Sequence, residues 1–90
     1  MVLDGLQTFT AHDCRSLMPI VALELENGSQ PGVYRFTIIG GQRKALWDIW
    51  YENRPILLRN LSGVELRVLI ATFPIQRDGY GLIRLDALGQ

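Results

Sequence analysis

The chain has 90 residues, 48% of them hydrophobic and 20% charged, with nine basic and nine acidic side chains that cancel to zero formal charge. That length is one small domain, and that composition excludes an intrinsically disordered chain, which needs low hydrophobicity and high net charge. Charge balance also removes the whole-chain excess of Lys and Arg that marks most nucleic-acid binders.

Residues 1–19 carry scattered apolar side chains, among them Phe9, Leu17 and Met18, without a sustained period of two. They read as an N-terminal arm, with Thr10 or Asp13 capping at most one helical turn before Pro19. From Ile20 the signals are those of strands, so 20–90 reads as a single β domain. Residues 20–26 end in Leu-Glu alternation, and Asn-Gly and Pro-Gly pairs in 27–32 mark a loop. Residues 33–39 alternate Tyr34, Phe36 and Ile38 against Val33, Arg35 and Thr37. Gly40-Gly41 reads as a hairpin turn, leading to a strand over 45–51 with Trp47, Ile49 and Tyr51 on one face and Leu46, Asp48 and Trp50 on the other.

A strand over 55–61 follows, then Ser62-Gly63 as a hairpin turn. Residues 64–73 satisfy both periods; their β-branched content favours a strand over a helix. Asp78-Gly79 reads as a last hairpin turn before a strand over 80–86. Six such runs about ten residues apart predict a mainly β fold, a small antiparallel sandwich or partly open barrel of about six strands with an N-terminal arm.

Catalytic signals are weak. The adjacent His12, Asp13 and Cys14 point alternately in an extended segment, which is not the geometry of a nucleophile and its base. A single Cys and a single His allow no disulfide within the chain and no multi-cysteine zinc site. A reducing, cytoplasmic place of folding is favoured, no apolar run is long enough for a membrane helix, and the first residues do not read as a secretory signal. Asp48, Glu24, Glu26 and Asp86 could form a carboxylate pair only if their strands were neighbours. No cofactor and no metal site is expected.

The stronger signal is apolar side chains on both faces of successive strands, which implies an enclosed sheet or a contact surface. The contact candidates are Leu46, Trp50 and the arm with Phe9, Leu17 and Met18. Arg43 and Lys44 beside Trp50 offer an alternative, a small β module binding single-stranded nucleic acid or peptide.

Tyr34 and Phe36, Trp47 to Ile49, Pro55-Ile56-Leu57-Leu58, Gly63-Val64, and Gly81-Leu82 with Asp86 together resemble the short baseplate hub or plug proteins of contractile-tailed bacteriophages. The likeness covers about residues 20–88, although 40–47 and 52–55 lack that family's turn residues. It implies a non-enzymatic structural subunit of a tail baseplate. Such a subunit would assemble in the host cytoplasm into a virion, contact other structural subunits and sit in a symmetric oligomer.

Overall fold

The computed structural model describes residues 3–73 and 79–88. Six strands and one helix follow in the order β1 (Gln7–Asp13), β2 (Pro19–Asn27), β3 (Val33–Gly41), α1 (Arg43–Tyr51), β4 (Ile56–Asn60), β5 (Glu65–Thr72) and β6 (Tyr80–Ala87). Two antiparallel meanders, β1-β2-β3 and β4-β5-β6, are joined by α1. They close on each other because β1 pairs with β4 and β3 with β6, giving the cyclic order β1-β2-β3-β6-β5-β4. The barrel is mainly β, as the spacing of the runs predicts, and closed rather than partly open. Closure removes the free strand edges that would otherwise recruit another chain.

Two expected elements are corrected. Gln7–Asp13 is a barrel strand and not part of an arm: Phe9 pairs with Leu23 on one side and Asn60 on the other. Its Phe9 and Ala11 point inward and are fully buried. The expected division at residue 19 therefore falls inside the β1–β2 hairpin. The single turn expected before Pro19, with Asp13 as its cap, is present as that hairpin's loop: Leu17 N–H donates to the Asp13 carbonyl four residues back (2.8 Å), and Asp13 N–H donates to the Met18 carbonyl (3.0 Å).

Residues 45–51, expected as a strand, belong to α1. Leu46 and Ile49, three residues apart, share one helix face and are buried, whereas a strand would have put them on opposite faces. Gly40-Gly41 is accordingly no hairpin turn but the exit from β3 into this helix. Gly41 has φ +84°, and a Cβ there would lie 2.7 Å from the Ile20 carbonyl oxygen, so the turn requires glycine. At the far end Asn53, at φ +56°, follows the last turn in the left-handed conformation that commonly ends helices.

Residues 65–72 form a strand, as their β-branched content favours. The turn expected at Ser62-Gly63 is present, spanning Leu61–Val64. There the Asn60 side-chain oxygen accepts from the Ser62 and Val64 N–H groups, both at 3.0 Å. Asp78 of the expected Asp78-Gly79 turn lies outside the described residues.

Each strand sends alternate residues inward: Val21, Leu23 and Leu25 from β2, Tyr34 and Phe36 from β3, Ile56 and Leu58 from β4, and matching pairs from β5 and β6. Both ends of this core are stoppered. Leu46 and Ile49 of α1 close one. Leu3 closes the other, clamped by Asn27, whose side chain accepts from the Leu3 N–H (3.2 Å) and donates to its carbonyl (2.6 Å). No polar or charged residue is buried among the described residues. The interior is thus filled by the chain's own side chains, and whatever the protein recognises must meet its outside.

Candidate interaction surface

The residues expected at contacts divide sharply. Phe9 (1% exposed) and Leu46 (0%) are core residues, which corrects both as contact candidates. Leu17 (65%) and Met18 (63%) stand open to solvent at the β1–β2 turn. Leu17 is also held at φ +58°, a left-handed conformation that costs a non-glycine residue about 1 kcal/mol.

Trp50 is half-buried, 6.3 Å from the Phe73 ring and 5.7 Å edge-on from Trp47. It packs α1 onto the barrel instead of presenting a free ring. Arg43 lies with its guanidinium carbon 5.1 Å from the centroid of the Phe73 ring, a cation–π contact. Lys44 is paired with Asp48 at 3.0 Å. The basic and aromatic groups of 43–50 are therefore largely engaged within the protein. Beyond them, Tyr51 stacks on Trp47 at 5.1 Å and remains mostly exposed.

Sequence reasoning missed most of the exposed apolar surface. At the barrel end closed by Leu3, Leu61 (100%) and Val64 line an open groove of about 520 Å³, and Leu6 (59%), just ahead of β1, is exposed. Leu61 sits at the tip of a turn, where no described residue covers it. On the barrel wall, β3 and β6 pair Thr37 with Tyr80 and Arg35 with Leu82. Their outward positions expose Tyr80, Leu82 and Ile39 as an apolar strip. The usable signal was alternation: Ile83 and Leu85 point inward, so Tyr80 and Leu82, of opposite parity, must point outward.

The chemical candidates remain apart. Glu24 and Glu26 lie on β2, Asp86 on β6 with β3 between them, and Asp48 on α1. Among the described residues no group of three or more His, Cys, Asp or Glu could hold a metal ion, and no helix is long and apolar enough to cross a membrane. His12 is paired with Leu57 and Pro19 within the sheet, whereas Cys14 lies in the following turn.

Cys14 belongs to a depression of about 200 Å³ that is walled by Asp13, Arg15, Arg54, Pro55 and Arg67. Asp13 organises it. Its carboxylate accepts from the Arg15 N–H (2.8 Å) and from the Arg54 guanidinium (2.7 Å). The Arg15 backbone donor above all, helped by the charge of Arg54 and opposed by partial burial, holds the Asp13 carboxyl below its ordinary value of 3.8. Arg54 also reaches Glu52 at 2.7 Å.

The surface offers apolar side chains at one barrel end, on one wall and at the β1–β2 turn, with charged groups between them. No protein-family model, no curated protein and no solved structure matches this chain.

Proposed function

We propose that this protein is a non-enzymatic assembly subunit, a component of the hub or plug region of a phage tail baseplate. The carrying observation is the pairing of a filled interior with large apolar side chains left in water: Leu61 fully exposed, and Leu6, Tyr80 and Leu82 each more than half exposed. A free monomer gains nothing by holding such groups in water, whereas a subunit buried permanently among neighbours recovers that apolar area. The resemblance noted in the sequence names the setting. Its Tyr34, Phe36, Ile56 and Leu58 form barrel core, while Trp47 and Ile49 lie on a helix where that family's pattern has a strand.

The alternative, a nucleic-acid or peptide module built on Arg43, Lys44 and Trp50, draws less support, because these side chains already contact Phe73, Asp48 and Trp47. Quantitative mass spectrometry of purified phage particles from the source lysate tests the proposal. A fixed stoichiometry of the chain per particle supports it; its absence from clean particles overturns the tail assignment.

A further inference from the structure

In a closed six-strand barrel, the strand three places away in either direction lies across the core. By that count β2 and β5 form opposite sides of this molecule. Their outer faces differ: β2 carries Glu24 and Glu26, whereas β5 carries Arg67 and a Glu65 already paired with Arg59 at 3.2 Å. On β2, Glu24 has no ion-pair partner among the described residues, and Glu26 is met only by Arg35, at 3.4 Å on the open surface.

On the opposite side, Arg67 of β5 joins Arg15 and Arg54 around the 200 Å³ depression. Arg54 is committed to Asp13 and Glu52, but the guanidinium groups of Arg15 and Arg67 have no carboxylate within ion-pair distance among the described residues. The zero net charge therefore hides a polar distribution, with unmatched cations on one side and unmatched or loosely matched carboxylates on the other. Half-buried apolar residues stand beside both sets, Ala22 on β2 and Leu69 on β5.

We propose that the depression walled by Arg15, Arg54 and Arg67 receives the Glu24–Glu26 face of β2 from a second copy of this chain, so that copies add head to tail. The inference rests on the assembly reading above and names a partner for it. Every strand of the barrel is already paired on both sides, so a second copy docks through side-chain faces and not by strand addition. The two faces are different surfaces, which makes the contact heterologous. Each copy keeps one free face, and addition continues to a closed ring if the rotation between successive copies closes, or to an open filament if it does not.

The experiment is sedimentation velocity on the whole chain, from about 5 to about 200 µM, at roughly 50 and roughly 500 mM salt. The expected result is a mass that rises with concentration, with association weakened about tenfold or more by the higher salt. Arg67→Glu or Glu24→Arg alone weakens association by about 100-fold, because each places like charges together. Each of these variants retains one native face. An equimolar mixture therefore associates again, native contacts alternating with charge-reversed ones, and the chain carrying both substitutions associates again with itself.

Circular dichroism matching the wild type guards against misfolding, since both positions lie on outer faces. A wild-type chain that stays monomeric at every concentration and salt overturns the proposal, as does association indifferent to both substitutions. Failure here is separable from failure of the tail assignment. A chain found in particles but monomeric when free removes head-to-tail addition alone; a self-associating chain absent from particles removes the tail assignment alone.

Discussion

Leu46→Ala separates a helix that plugs the barrel from a strand that offers a contact. Leu46 is fully buried where α1 meets the barrel core. Its truncation removes three carbons, a transfer loss of about 2.4 kcal/mol. The incompletely filled space adds a cavity term that brings the total to about 3–4 kcal/mol. For a domain of this size that is a large share of total stability and lowers the melting temperature by roughly 15–25 °C.

Urea unfolding followed by tryptophan fluorescence reads the change, because Trp47 and Trp50 sit on the same helix. The midpoint falls while the slope stays constant. Leu61→Ala is the control: fully exposed, it shifts stability by less than about 0.5 kcal/mol. A cost below about 1 kcal/mol for Leu46→Ala, accompanied by lost assembly, would refute the reasoning and return Leu46 to the surface.

Three further substitutions probe the frame. Asn27→Ala removes both hydrogen bonds that clamp Leu3 over the barrel end and costs about 1–3 kcal/mol; native-state hydrogen exchange should show residues 3–6 opening first. Gly41→Ala forces a Cβ against the Ile20 carbonyl at a positive φ; a loss of about 2 kcal/mol or more in chemical denaturation is expected, and a neutral result would contradict the β3–α1 geometry. Asp13 has a depressed folded pKa, so it stabilises the fold above its unfolded value of 3.8, and that contribution is lost as pH falls through the lower folded value. Between pH 5 and pH 2, Asp13→Asn should therefore lose less stability than the wild type, measured by thermal melts.

Much of the barrel was legible, and its two misreadings have physical causes. β2, β3, β5 and β6 announce themselves because their inward residues are large and alternate with polar ones, as in Leu23, Glu24, Leu25, Glu26. β1 hides because its two inward residues are Phe9 and the small Ala11, too few to establish a period against Thr8, Thr10 and His12. In 43–51 the same apolar residues satisfy two periods. Trp47, Ile49 and Tyr51 alternate as in a strand, while Leu46, Ile49 and Trp50 fall at i, i+3 and i+4 as in a helix.

The connections decided between them. Gly41 turns the chain out of β3, and Asn53 stops it after two and a half turns, so only a helix spans the barrel end. That error carried into the site. Leu46 was assigned to the surface as a strand residue, while Tyr80 and Leu82, whose exposure follows from parity, went unremarked.

The most direct test of the assembly reading is hydroxyl-radical footprinting of the chain, free in solution and within purified particles. The account predicts that Leu6, Leu61, Tyr80 and Leu82 react readily in the free chain and are protected in the particle, while Phe9 and Leu46 are protected in both. Equal reactivity of the four exposed residues in both states would contradict it, because a subunit that leaves its apolar surface in water is not held by that surface.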